Sequence, residues 1–317
     1  MKVVEHINKS GKTLFTFEIL PPLKGENIES IHAIIDPLME FKPAFIDVTY
    51  HREEIIYKPR AGGLLERWKV RKRPGTVGIS ASIKYKYGVD VVPHIICGGF
   101  SKEETENGLI DLHFLGIHNL LVIRGDNLKS EKYYTPEPNG HSYAIELVKQ
   151  IINMNKGIYL DEELEFTTPT HFSVGIAGYP EKHYEAPNIK SDLEYLKQKV
   201  ETGAEYIVTQ MFFDNRKYFD FVKQCREIGI EVPIIPGLKP ISIKSQINTL
   251  PRTFNIDLPE ELVHEIVKCK DSTQVRQAGT EWCIQQSREL MKFGVPAIHY
   301  FTMGRSDNIR KIAEAVF

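Results

Sequence analysis

The sequence predicts an α/β protein built as a single (β/α)8 TIM barrel, and three observations carry that expectation. Short β-branched or aromatic runs alternate with longer amphipathic stretches along the whole chain. Eight such runs can be counted, and several are apolar almost throughout, as strands covered on both faces are. The chain has 317 residues, 42% hydrophobic and 26% charged, which is enough to bury one core of that size. No internal repeat, low-complexity run or linker divides it, so residues 1–317 are expected to form one domain.

The expected strands are Leu14–Leu20, Phe45–Tyr50, Val91–Cys97, Leu120–Asp126, Phe172–Tyr179, Tyr206–Phe213, Val232–Leu238 and Ala297–Met303. Helix punctuation lies between them. Ser101 with Glu104, and Ser191 with Glu194, fit the S-x-x-E capping box, in which each side chain satisfies a backbone N–H at a helix start. Gly116 and Gly203 follow the apolar faces Leu109/Leu112/Leu115 and Leu193/Leu196/Val200, where a left-handed residue ends a helix. Asp307–Phe317 suits one short helix. Three stretches break the rhythm: His51–Thr76, Asn127–Gly140 and Asn155–His171. The first is a basic insertion (Arg52, Lys58, Arg60, Arg67, Lys69, Arg71, Lys72, Arg73 against Glu53, Glu54, Glu66). It reads either as a solvated loop or as a field that draws an anionic cofactor or a polyglutamate tail.

A net charge of −2 and a pI near 6.6 favour neither nucleic acid nor an anionic membrane. Met1–Thr13 is polar, and no stretch approaches the ~20 apolar residues of a membrane span, so a cytoplasmic location is expected. Cys97, Cys225, Cys269 and Cys283 are scattered without a C-x-x-C pair and read as reduced packing residues. No H-x-H or H-E-x-x-H occurs, and His264-Glu265 has Lys268 in the closing position, so no protein-bound metal is expected. The phosphate loop, the G-x-G-x-x-G turn and the G-x-S-x-G elbow are absent. Acid–base or cofactor chemistry remains.

A barrel does its chemistry at the C-terminal ends of its strands. Glu18 sits there among Phe15, Phe17, Ile19 and Leu20, whose apolar side chains disfavour a charged carboxyl. A general acid and a buried carboxyl paired with a base are both open readings. Other ends carry Asp47-Val48-Thr49-Tyr50, Pro93-His94, Arg124-Gly125-Asp126, Tyr179-Pro180-Glu181-Lys182-His183, Thr209-Gln210, and Tyr300-Phe301-Thr302 with Arg305 beyond. Singly, His94 reads as a core histidine and Arg124 with Asp126 as an ion pair. Six strand ends with such groups point to a shared site.

In this order, Phe17-Glu18 with Pro21-Pro22, Val48-Thr49-Tyr50, Pro93-His94, Arg124-Gly125-Asp126, Tyr179-Pro180-Glu181 with His183, and Thr209-Gln210 with Phe212-Phe213 resemble the methylenetetrahydrofolate reductase family over nearly the whole chain. The resemblance implies a barrel holding FAD. It implies a ping-pong reaction in which NADH or NADPH reduces the flavin and methylenetetrahydrofolate then becomes 5-methyltetrahydrofolate. Glu18 aligns with the general acid that opens the imidazolidine ring on the N10 side, and Asp126 with the carboxylate beside flavin and pterin, both also contacting substrate. Thr49, Tyr50, His94, Arg124, Gly125, Asp126, Tyr143, Ala144, Tyr179, His183, Asp192 and Lys199 fall in the flavin site. Asp192 and Lys199, seven residues apart, share one helix face; a solvated face is the plainer reading of that pair. Gln210, Gln246 and Arg305 align with folate contacts, and Gln210 also serves the nicotinamide half-reaction.

Leu250, Tyr195 and Gln198 depart from the bacterial pattern, and the 51–76 insertion has no bacterial counterpart. The chain is expected to comprise the catalytic region alone, without adenosylmethionine inhibition. The expected partners are methylenetetrahydrofolate, NADH or NADPH, and further copies of the same chain. Two other readings stand beside this one. The first is a flavin-free barrel lyase or aldolase using a strand lysine, for which no strand-end lysine in an obviously apolar pocket is apparent. The second is a catalytically inactive folate- or flavin-binding partner protein.

Overall fold

The computed structural model describes residues 1–128, 131 and 133–317; Lys129, Ser130 and Lys132, within the expected 127–140 interruption, lie outside the described residues. The chain runs through β1 (Leu14–Ile19) and β2 (Phe45–Val48), then an antiparallel hairpin of β3 (Glu54–Pro59) and β4 (Leu65–Val70). It continues through β5 (Asp90–Ile96), β6 (Asn119–Ile123), β7 (Ser173–Gly178), β8 (Tyr206–Thr209), β9 (Ile234–Ile235), β10 (Gly237–Leu238) and β11 (Ala297–Phe301). All but the hairpin pair in parallel, in the order β10-β11-β1-β2-β5-β6-β7-β8-β9. β9 and β10 are the two halves of one strand, so eight barrel positions close into a (β/α)8 ring.

The expected unbroken strand over 232–238 is therefore corrected, and Pro236 is the reason. It has no N–H to donate to a ladder. Its carbonyl instead accepts from the His299 N–H (2.9 Å), while the Gly237 N–H reaches the Thr209 hydroxyl (3.0 Å). The half before Pro236 pairs with β8 and the half after it with β11. Most other expected strands ran too far at their C-terminal ends. Thr49-Tyr50, Arg124-Gly125-Asp126, Tyr179 and Gln210–Phe213 have left the sheet and belong to the loops above it.

The helices are α1 (Val3–Ser10), α2 (Glu29–Ile35), α3 (Thr76–Tyr87), α4 (Lys102–Phe114), α5 (Ala144–Met154), α6 (Ile189–Thr202), α7 (Asn215–Glu227), α8 (Gln246–Phe254), α9 (Glu260–Lys268), α10 (Ser272–Phe293) and α11 (Asp307–Val316). α4 begins with the expected reciprocal cap: Ser101 N–H donates to Glu104 (2.8 Å) and Glu104 N–H to the Ser101 hydroxyl (3.1 Å). α6 starts earlier than expected. Asn188 is its cap, accepting from the Ser191 N–H (2.9 Å), and Ser191 lies inside the first turn. Gly116 and Gly203 both take positive φ at the helix ends, as expected.

α1, where no element was expected, plugs the N-terminal end of the barrel. The Val3 N–H donates to Asn119 Oδ1 and Asn119 Nδ2 to the Met1 carbonyl (2.9 Å each), and the terminal ammonium meets Asp90 at 2.7 Å. The basic 51–76 insertion is a hairpin rather than a loop. Much of its charge is paired: Arg60 with Glu66 (2.6 Å), Lys72 with Glu54 (2.5 Å), Lys69 with Glu137 (3.1 Å) and Arg52 with Glu131 (3.1 Å).

Strand side chains alternate between two layers. Phe15, Phe17, Ile46, Val48, Val91, Leu120, Val122, Val174, Ile176, Ile298 and Tyr300 pack outward in the main core, with residues of the helices. Phe45, Val92, Leu121, Tyr206, Val208, Ile235 and Ala297 fill the lumen floor, with Val3 of α1. Two residues further along the strands the inward positions turn polar: Thr16 and Glu18, Asp47, His94, His299. Tyr206 occupies the floor only because β7 offers Gly175 beside it: a Cβ there would lie 2.2 Å from the ring, whose hydroxyl donates to the Leu120 carbonyl (2.9 Å). Gly175→Ala is expected to cost about 1–3 kcal/mol by overpacking. Thermal denaturation reads this as a lowered Tm; an unchanged Tm would show that the lumen floor has room to spare.

Candidate active site

The polar layer of the lumen is dense. Glu18 of β1 stands beside Asp47 of β2 and Phe301 of β11 in the ladder register, and Thr16 beside His299. Glu18 is 8% exposed, and Asp47 and His299 are 0% exposed. His94 Nε2 lies 3.4 Å from Asp47 Oδ2 and 4.0 Å from Glu18 Oε2, and His299 Nε2 lies 4.0 Å from the same Glu18 oxygen. Burial pushes the His299 imidazole down, but Asp47 and Glu18 outweigh it and its pKa is raised overall. The Thr302 hydroxyl donates to the Glu18 carbonyl (2.7 Å), tying the end of β1 to the loop that carries Arg305.

Lys239, directly after β10, joins this layer at 5% exposure. Burial lowers the pKa of its ammonium, against the attraction of Glu18. Lys239 is thus a buried strand-end lysine, held in a polar layer beside Glu18 rather than in an obviously apolar pocket. His51, at the rim above β2, is held below its usual range first by surrounding protein and then by Arg73, against the fields of Asp126 and Glu18. Asp126 and Glu18 thus act on one point at the mouth, although Asp126 is exposed and Glu18 buried.

A second constellation covers the ends of β6 and β7. Arg124 pairs with Glu185 (2.6 Å), donates to the Tyr184 hydroxyl (3.1 Å), and lies 4.8 Å from the Tyr134 ring centroid. Tyr134 in turn donates to the His141 carbonyl (3.0 Å), just before Tyr143 and Ala144 at the start of α5. Tyr179 and His183 meet edge to face at 4.7 Å. Asp192 accepts from the His183 N–H (2.9 Å), and Lys199 lies on the same helix within the field of Asp192. Burial, then Arg124, pushes the His183 imidazole down to about 4. Its Nδ1 accepts from the Glu185 N–H (3.3 Å), so the neutral ring keeps its proton on Nε2.

Gly125 takes φ +87 at the tip of the β6 loop. The Thr49 hydroxyl is buried with no hydrogen-bond partner. Gln210 follows β8, its N–H bonded to the Gly178 carbonyl (2.8 Å), and Tyr50 stacks obliquely on Phe100 at 5.2 Å. Gln246 is set apart: its carbonyl oxygen accepts from the Ser242 N–H (2.7 Å), and no measured contact ties it to Glu18 or Asp126 among the described residues. A cavity of about 420 Å³ opens beside Tyr50 and His94, lined also by Arg71 and Phe100, and another of about 340 Å³ lies under the hairpin, lined by Arg52, Arg67 and Lys69. Neither is lined by Glu18, Asp126 or Gln210. Among the described residues, no group of three or more His, Cys, Asp or Glu could hold a metal ion, and no helix is long and apolar enough to cross a membrane.

A parallel eight-fold barrel with ionisable groups gathered at its strand ends has the architecture of a barrel enzyme. The family model for methylenetetrahydrofolate reductase matches residues 2–316, and the chain belongs to that family. It is 30% identical to a Caenorhabditis elegans protein named probable methylenetetrahydrofolate reductase (NADPH), over 99% of this chain and 43% of the other. It is 29% identical to the Arabidopsis thaliana methylenetetrahydrofolate reductase (NADH) 1, over 96% and 48%. With the Escherichia coli 5,10-methylenetetrahydrofolate reductase it shares 27% identity over 94% of this chain and 88% of that one. The chain thus spans about half the length of the eukaryotic relatives it matches. A Clostridium thermocellum protein described as binding two copies of 5-methyl-5,6,7,8-tetrahydrofolic acid superposes with a TM-score of 0.56 at 14% identity, over 99% and 98% of the two chains, and shares the fold.

Glu181, at the β7 end of the mouth, titrates unusually. Burial raises its carboxyl to about 7, partly offset by the Asp257 N–H that it accepts at 2.9 Å. A folded-state pKa above the unfolded value means that folding takes up a proton between the two. The stability contribution of Glu181 is therefore full below the ordinary glutamate range and lost as pH rises through about 7. Glu181→Gln, which mimics the protonated form, should leave Tm unchanged below the ordinary glutamate range and raise it increasingly as pH climbs from there to about 7, and by a constant amount above. A Tm difference that does not vary with pH would contradict this.

Proposed function

We propose that the chain reduces 5,10-methylenetetrahydrofolate to 5-methyltetrahydrofolate, with FAD as resident cofactor, NADH or NADPH as hydride source, and Glu18 as general acid. The observation that carries the proposal is the place of Glu18: a carboxyl enclosed at the end of β1, in a chain whose family match runs from residue 2 to residue 316. Family membership supports folate reduction, and the unlike nicotinamides in the relatives' names leave the donor to experiment.

The residues present fit a flavin. The buried Thr49 hydroxyl has no hydrogen-bond partner, and Tyr179, neutral His183 and Arg124 offer rings and donors above the ends of β6 and β7. Thr49, Tyr50, His94, Arg124, Gly125, Asp126, Tyr143, Ala144, Tyr179, His183, Asp192 and Lys199 would hold it. A bound flavin supplies a two-electron store, filled by nicotinamide and emptied into folate in separate steps.

The protein's own part is proton and charge management. Glu18 gives its proton to the N10-side nitrogen as the imidazolidine ring opens, and the exposed Asp126 carboxylate offsets the positive charge that develops on the iminium. Gln210 offers both a donor and an acceptor to a pterin edge, and Arg305 offers a cation to a carboxylate or ring carbonyl. Gln246, the first residue of α8, would contact the outer part of the same substrate.

Lys239 gives a flavin-free Schiff-base reaction one specific observation, its buried and depressed ammonium. Borohydride trapping with a carbonyl substrate separates the two readings. The reductase should take up FAD, bleach anaerobically with NADH or NADPH, and recolour on addition of methylenetetrahydrofolate, with no trapped adduct. Glu18→Gln should lose about 10²–10⁴-fold in folate reduction and far less in flavin bleaching. Protein that stays colourless with FAD, or a Gln variant as fast as the parent, would contradict it.

A further inference from the structure

Beneath Glu18 lie a second carboxylate and a histidine to which the proposed reaction assigns no task. Asp47 and His299 are 0% exposed, yet both Asp47 oxygens and the Nε2 atoms of His299 and His94 lack a hydrogen-bond partner. They nonetheless converge. His299 Nε2 lies 4.0 Å from Glu18 Oε2, and His299 Nδ1 lies 3.9 Å from Asp47 Oδ1. Such gaps are too long for a direct hydrogen bond and suit one bridging water or a small side-chain shift.

The Thr16 hydroxyl lies 3.2 Å from the Ile298 carbonyl and 3.1 Å from His299 Nδ1, and it has one proton for the two. With that proton on the carbonyl, Nδ1 donates to the hydroxyl and Nε2, on the Glu18 side, is the nitrogen that gains and loses one.

We propose that Asp47 and His299 are positioning residues that hold a proton beneath Glu18 and return it to the Glu18 carboxyl after each turnover. This rests on Glu18 being the acid. Reduction adds one hydride and one proton to the folate; nicotinamide supplies the hydride and Glu18 the proton. The resulting carboxylate must be reprotonated before the next cycle. The His299 imidazolium gives its Nε2 proton to Glu18 and is recharged from solvent entering the mouth, and the Asp47 carboxylate stabilises the imidazolium in between.

The groups facing this pair are Thr16 and Glu18 from β1, His94 from β5, Tyr206 from β8, Lys239 after β10 and His51 from the rim. Burial opposes a proton on His299, and the two carboxylates prevail.

The test uses the FAD-loaded protein. Folate turnover and, separately, flavin bleaching by nicotinamide are followed across the range where imidazoles titrate. Asp47→Asn should move the alkaline limb of folate turnover down by about one pH unit, and His299→Gln, which removes the titrating imidazole, should lose about tenfold more in the folate arm than in the bleaching arm. Thr16→Val, which removes only the hydroxyl and threatens the fold least, should move the limb the same way by less. Variants that keep the parent's alkaline limb, or lose both arms in parallel, overturn the positioning role and leave the function standing. A parent protein that bleaches but reduces no folate overturns the function itself, and this inference with it.

Discussion

The site depends on one constraint, the alternation of side chains in a closed parallel barrel. A strand residue points either to the helices or to the lumen, and its neighbours two places away share its side. Once Phe15 and Phe17 pack outward, Thr16 and Glu18 must point inward, and the same parity places Asp47, His94 and His299 there. The ladder register then sets Glu18 beside Asp47 and Thr16 beside His299. Slipping one strand by a single residue would exchange aromatic rings for carboxyls. Closure through Pro236 makes that parity hold around the whole ring.

The lumen is thus divided by height. Its floor is apolar, sealed by Tyr206, Phe45 and Val3, and excludes water from the N-terminal end. Its upper layer holds carboxylates and imidazoles that are costly to bury and incompletely hydrogen-bonded. Nothing in packing favours that arrangement. Unsatisfied polar groups collected on one level of a well-packed barrel mark where stability has been given up for chemistry. The constellation of Arg124, Tyr179, His183 and Asp192 differs: its members satisfy one another on the surface, as suits a preformed wall for a ligand.

Much of the fold was legible because buried parallel strands are apolar runs, and the eight runs coincide with the eight barrel positions. What escaped had physical causes. Strand ends were overrun because Arg124-Gly125-Asp126 and Gln210–Phe213 continue the apolar or β-prone pattern after the ladder bonds stop. α1 is amphipathic but polar on average, so it was not singled out. The hairpin at 54–70 alternates charged and apolar residues with little burial, which resembles a solvated loop. At the site, Glu18 and the rim residues were legible through resemblance and neighbours. Asp47 was legible only as one polar group at the end of its strand, and His299 and Lys239 were not, since parity alone decides which way a polar residue in an apolar run points. His299 lies two places beyond the lumen-facing Ala297, and Lys239 keeps the parity of the lumen-facing Ile235 but falls one residue past the expected 232–238 strand.

The most direct measurement is a crystal structure with FAD and a reduced folate bound. A Glu18 carboxyl oxygen within about 2.6–3.2 Å of the N10-side nitrogen, directly or through one water, is the predicted result, with the flavin ring on the opposite face of the pterin and Asp126 at its edge. Folate seated instead under the hairpin against Arg52, Arg67 and Lys69, with Glu18 facing only its histidines, would contradict the account.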